Sequence, residues 1–186
     1  MKAEKKSAKS VSTVLVVFAI ALAAAAQKPA RSGKLPIVEQ IDAVALRSVI
    51  NPDKKPLFVN LWATWCDPCR EEFPDIVRLE SEFRGKVDFV SISLDDLAEI
   101  RRGVPAFLVE MNATEMPAYL LKTADENAAI AAIAKEWKEP WKGGLPFSVL
   151  YSATGETRYF RQGKIDPAAV RQKLEQLTAT PAAAKP

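Results

Sequence analysis

The chain holds two cysteines, Cys66 and Cys69, separated by two residues, and no histidine among its 186 residues. A CxxC pair at the start of a helix is suited to thiol–disulfide exchange. Backbone N–H groups left unpaired at a helix N-terminus favour a thiolate over a thiol, and can bring the first cysteine of such a pair from about 8.5 into a range of about 3.5 to 7.5. Cys66 is therefore the expected nucleophile, attacking a disulfide to form a mixed disulfide. Cys69, one helical turn deeper, is the expected resolving residue. The plainer alternative is an inert bridge of the sort exported proteins use. A bridge around two residues closes so small a loop that it constrains the unfolded chain little.

The rest of the composition removes competing chemistries. Without histidine there is no imidazole base for a serine or cysteine hydrolase, and two sulfurs do not make a four-ligand structural zinc site. A c-type haem attachment needs histidine directly after the second cysteine, where this chain has Arg70. Peroxide reduction of the peroxiredoxin type wants a threonine three residues before its cysteine, but Thr64 lies two before Cys66. Two thiolates alone are an incomplete copper site. No metal and no cofactor is expected beyond a redox-active Cys66–Cys69 disulfide.

The elements around the pair read as those that would position it. Residues 57–62 form an apolar run broken only by Asn60, the pattern of a strand buried on both faces, and it points at the cysteines. Pro68 suits the first turn of a helix in which Phe73, Ile76, Val77, Glu80 and Phe83 recur at helical spacing, with Gly85 as its end and a kink at Pro74. Before this unit, residues 37–41 alternate as a short strand. Asp42 then caps a helix to Ile50, with Val44, Ala45, Val49 and Ile50 as its buried stripe. After it come an alternating strand at 87–93, a helix around 106–111, a short strand at 118–121 and an Ala-rich helix at 125–137, with Ile130 and Ile133 on one face. A hairpin spans 147–151 and 157–161, and Asp166 and Pro167 open a closing helix with Val170, Leu174 and Leu177 on one side. Strands alternating with helices predict an α/β layered sheet with helices on both faces.

The ends differ from this body. Lys2, Lys5, Lys6 and Lys9 precede an apolar run at 11–26 that finishes in small residues at Ala24 and Ala26. This is the pattern of a secretory signal cleaved before Gln27, or of an uncleaved membrane anchor using residues 11–26. Either delivers the body outside the cytoplasm, periplasmic or secreted. The expected organisation is a signal peptide or anchor at 1–26, a linker at 27–34, the domain at 35–177 and a disordered low-complexity tail at 178–186. Without the four lysines and one glutamate of the leader, 22 basic and 22 acidic residues remain and the net charge is zero. Such a domain has no electrostatic footprint for nucleic acid.

The stretch from Asn60 to Pro74, NLWATWCDPCREEFP, resembles the thioredoxin superfamily, and within it the extracytoplasmic TlpA/ResA-like group. The resemblance extends to Leu145-Pro146 before the hairpin, to Thr154-Gly155-Glu156 in its turn, and to Arg161 and Gly163 ahead of the last helix. It covers about residues 57–177, and 94–142 match poorly. It implies a thioredoxin-like fold, a central mixed sheet flanked by helices on both faces. It also implies that Pro146 is cis and faces the dithiol, so that the backbone of Leu145 can pair with a substrate chain.

Asn60 stands where thioredoxin itself has a buried acid. Glu72, on the same helical face as Cys69, is the candidate proton acceptor in its place, and the group's pattern carries a glutamate there. Glu71 points elsewhere. Asp67, between the cysteines, would either oppose thiolate formation or act as a solvated helix-start residue. Trp65 and Pro68 join Leu145 and Pro146 as expected substrate-binding residues; Trp62 is read as core packing, and Trp137 and Trp141 either edge the substrate groove or, the favoured reading, serve as core or edge packing. The function implied is an exported oxidoreductase that reduces or exchanges disulfides of protein substrates, fed by a membrane thiol donor; similar proteins serve cytochrome c maturation. The alternatives are a disulfide oxidant or isomerase, or a binding adaptor with no turnover.

Overall fold

In the structure, a computed structural model, residues 35–134 and 141–179 are described. The leader 1–26, the linker 27–34, Trp137 and the tail beyond Ala179 lie outside them. Six strands form one mixed sheet in the order β1-β4-β3-β2-β5-β6. They are β1 (Glu39–Ile41), β2 (Leu57–Trp62), β3 (Asp88–Ser93), β4 (Ala118–Leu121), β5 (Phe147–Tyr151) and β6 (Thr157–Gln162). β1, β4, β3 and β2 run parallel, and β5 and β6 continue antiparallel. The helices are α1 (Ala43–Val49), α2 (Asp67–Phe83), α3 (Gly103–Glu110), α4 (Glu126–Ala134) and α5 (Pro167–Thr178).

Strand alternation sorts the core into two layers. Phe58 and Trp62 of β2 and Leu150 of β5 face α2, α3 and α5, packing with Phe73, Ile76, Phe107, Val170 and Leu174. Leu57, Val59 and Leu61, with Phe147 and Val149, face α1 and α4 through Leu46, Ile130 and Ile133. A strand between two layers has no wet side, and every residue of β2 is buried. The same holds for β3: all of it after Asp88 is buried, because β2 and β4 flank it and helices cover both faces. By parity Asn60 falls on the α2 side, directly across from Ser148 of β5.

The local signals act as their chemistry dictates. Asp42 Oδ1 accepts from the amides of Val44 and Ala45 at 2.9 and 2.8 Å, and Asp166 caps α5 ahead of Pro167 in the same way. Gly85 follows α2 at φ +80°, a conformation other residues avoid. α2 runs unbroken through Pro74.

The predicted stripe of α1 needs correction: Val44 is 75% exposed, and the fully buried residue is Leu46. Val49 and Ile50 lie three and four residues beyond Leu46 and share its face, whereas Val44 is about 200° round the helix from it. In α2, likewise, Leu79 is buried, and Glu80 turns to pair with Arg84 at 2.8 Å.

Candidate active site

β2 ends at Trp62 and α2 begins at Asp67, so the dithiol sits where the chain leaves the centre of the sheet. Cys66 is the N-cap of α2 in extended conformation, and the Cys69 amide donates to its sulfur at 3.3 Å. The carbonyl of Cys66 also accepts from the amides of Cys69 and Arg70, both at 3.1 Å. Asp67 and Pro68 fill the first helical positions, where the missing proline N–H costs nothing. The two cysteines are joined as a disulfide.

Their surroundings differ. Cys66 lines a groove of about 500 Å³ together with Trp65, Pro68, Leu94, Trp141 and Leu145. Trp65 stands open to solvent, at 68% exposure. Cys69 is fully buried and does not line the groove. The Leu145–Pro146 bond is cis, as the resemblance implied. Leu145 reaches the groove, while Pro146 is buried behind it and its carbonyl accepts from the Gly163 amide at 2.8 Å.

Trp141 takes both of the roles the sequence left open to it. Its ring packs edge-on to Phe147 at 4.9 Å between centroids, as a packing residue would, but it also forms a wall of the groove. Its indole N–H donates to Asn127 Oδ1 at 3.3 Å, which fixes the ring against α4. Part of the poorly matching 94–142 region thus borders the dithiol.

On the sealed side, Glu72 is only 3% exposed, one turn beyond Cys69 on the same face of α2. The Asn60 amide donates to Glu72 Oε1 and to Ser148 Oγ, both at 3.0 Å, and the Ile165 amide donates to Glu72 Oε2 at 2.8 Å. Burial pushes the Glu72 carboxyl up from 4.5 to about 7, because charge is disfavoured away from water; the bonds from Ile165 and Asn60 and the positive charge of Lys164 hold back part of that rise. A carboxyl poised near neutrality can both take and return a proton at physiological pH. Glu71 is exposed and pairs with Lys164 at 2.6 Å, pointing away as expected.

Beneath the disulfide the Trp62, Phe73 and Phe107 rings pack at centroid distances of 4.3 to 5.0 Å. Arg70 lies over Phe107 at 5.0 Å and pairs with Glu110 at 2.5 Å, joining α2 to α3. Sequence reading found Asn60 and Glu72 but missed Ser148 and Ile165, which reach them from 88 and 93 positions away. Only the cross-strand register of β2 and β5 would have pointed to Ser148.

A CxxC disulfide capping a helix at the end of a central strand, with a cis-proline loop beside it, defines a thiol:disulfide oxidoreductase built on a thioredoxin-like fold. The chain belongs to the thioredoxin family, whose model matches residues 37–136. It is 31% identical over 72 residues to thioredoxin 1 of Chlorobaculum tepidum, which covers 36% of this chain and 71% of that protein. It is 38% identical over 60 residues to the thiol-disulfide oxidoreductase ResA of Oceanobacillus iheyensis, spanning 32% of this chain but only 31% of ResA. The crystal structure of a thiol:disulfide interchange protein of the thioredoxin family from Chlorobium tepidum shares the fold, with a TM-score of 0.55 at 20% identity over 71% of this chain and 84% of that one.

Proposed function

We propose that this oxidoreductase works outside the cytoplasm, where it reduces or exchanges disulfides in protein substrates through Cys66 and Cys69. Residues 1–26 carry it there, and are either cleaved before Gln27 or retained as an anchor through residues 11–26. The observation that carries the order of the two sulfurs is that Cys66 lines the groove while Cys69 is sealed behind it.

In the reduced enzyme the Cys66 thiolate attacks a substrate disulfide. A sulfur–sulfur bond forms to Cys66, and one substrate sulfur leaves as a thiolate. Glu72 takes the proton from Cys69, whose sulfur then attacks Cys66 and expels the second substrate thiolate. The substrate gains two electrons, and the enzyme ends as the disulfide. Turnover then needs two electrons back, supplied by a membrane thiol donor, and no bound cofactor takes part. Trp65, Pro68 and the Leu145 backbone receive the substrate chain along the groove, with Pro146 packed behind Leu145.

The reduction potential of the pair tests this reading, measured by equilibration with dithiothreitol or glutathione buffers and thiol trapping. A value near the roughly −270 mV of thioredoxin supports a reductase, and one near about −120 mV makes the protein a disulfide donor instead. A pair that reduces but exchanges with no disulfide substrate would leave only a binding module.

A further inference from the structure

Asp95 lies two residues beyond the end of β3 and is only 3% exposed, yet no step of the exchange uses it. Its carboxylate accepts from the Thr64 amide at 2.9 and 3.2 Å, from the Thr64 hydroxyl at 2.6 Å and from the Ser93 hydroxyl at 2.6 Å. Ser93 Oγ in turn accepts from the Asp95 amide at 3.0 Å. Thr64 is the middle of the short link between Trp62, the last residue of β2, and Cys66. The Cys66 amide donates back to Ala63 at 3.2 Å, so the link is a tight turn with Thr64 inside it. On the other side of Asp95, the Leu94 amide bonds the Trp62 carbonyl at 2.8 Å, and Leu94 itself lines the groove.

A buried carboxylate costs free energy unless donors surround it, and an apolar residue would fill the same space more cheaply. What a carboxylate supplies is direction. Two oxygens hold one residue of the turn by its backbone and its side chain at once, while Ser93 fixes the acceptor from behind. Trp65, the next residue, is mostly exposed and gives the turn no purchase on the core.

We propose that Asp95 is a positioning residue for the dithiol, gripping Thr64 so that the Cys66 sulfur is held at the N-terminus of α2 and level with the groove. This rests on the reading that Cys66 is the attacking sulfur. A displacement of the order of 1 Å at a reacting atom costs up to about a hundredfold in rate, and loosening this turn displaces the reacting sulfur.

The test compares the wild type with Asp95→Asn, Thr64→Val and Thr64→Ser in the reduced state. It reads the pH profile of Cys66 alkylation, the rate of exchange with a peptide disulfide, and the unfolding midpoint. Asp95→Asn keeps the volume but turns an amide donor toward donors. It is expected to slow exchange about tenfold and to move the alkylation profile. Thr64→Val, which loses only the hydroxyl, is expected to do the same to a lesser extent, and Thr64→Ser to restore wild-type behaviour.

If both disruptive variants lower the unfolding midpoint alone and leave alkylation and exchange as in the wild type, Asp95 is a stability residue and the inference is overturned. Should Asp95→Asn not fold, a folded Thr64→Val with wild-type alkylation and exchange overturns it equally. A wild type that fails to exchange with any disulfide overturns the functional reading beneath it, a result distinct from both.

Discussion

Cys66 and Cys69 stand one helical turn apart in opposite surroundings. Around Cys66 are an exposed tryptophan, a second tryptophan braced by α4, and the backbone of a loop. Around Cys69 are a buried carboxyl and the hydrogen-bonded amide of Asn60, with no open surface. The contrast separates two demands of thiol exchange. The attacking sulfur must meet large and varied partners, so its side is open. In the proposed mechanism the resolving sulfur must lose a proton at the right moment, and burial brings Glu72 close enough to neutrality to take it.

The largest expected effect breaks the comparison outright. Cys66→Ser should abolish exchange, whereas Cys69→Ser should accumulate a mixed disulfide with substrate, seen as a dithiothreitol-sensitive adduct on non-reducing gels. An adduct that forms through Cys69 in the Cys66→Ser variant would reverse the assignment of open and sealed sides.

Next in size is Glu72→Gln, expected to slow resolution of the mixed disulfide about a hundredfold, with attack by Cys66 little changed, as stopped-flow mixing can separate. Glu72 also leaves a mark on stability. Its folded pKa of about 7 lies above the 4.5 of the unfolded chain, so the folded state binds the proton more tightly. The oxidised domain should therefore be most stable with respect to this group below pH 4.5. It should lose about 3 kcal/mol as pH rises to about 7, the cost of burying the charge. Denaturant titrations across that window should show the slope in the wild type and not in Glu72→Gln.

On the open side, Trp141→Ala should raise KM for a peptide disulfide about fivefold and leave kcat alone, the loss of one aromatic contact. An unchanged KM would take Trp141 out of the groove and return it to packing. Smallest is Glu71→Gln, beside Glu72 in sequence but on the wet side of α2. Its exposed pair with Lys164 is worth under about 1 kcal/mol, and neither the pH slope nor the resolution rate should move.

The sequence made the dithiol, its helix and its neighbouring strands readable because each rests on local rules: an apolar run, a proline in the first turn, a capping aspartate. The stripe of α1 was misread because four apolar residues stand close together, and which of them face inward depends on where the helix lies on the sheet. For Trp141 the sequence left two roles open, since a tryptophan two residues before a glycine pair signals wall and packing alike. Asn60 and Glu72 were recognisable by position, but Ser148, which bonds Asn60, and Ile165, which bonds Glu72, were not. Their contacts arise from the register of β2 on β5 and from the seating of the chain between β6 and α5, facts of tertiary structure with no local signature.

The bond from the Ile165 amide to Glu72 has a use beyond chemistry. It ties the connection between β6 and α5 to a carboxyl that solvent barely reaches. An ionised carboxylate holds an amide more firmly than a protonated one. The chemical shift and hydrogen-exchange rate of this single amide should therefore follow the charge on Glu72. Ile165 is in effect a spectroscopic gauge, placed by the fold where it can follow the protonation of Glu72.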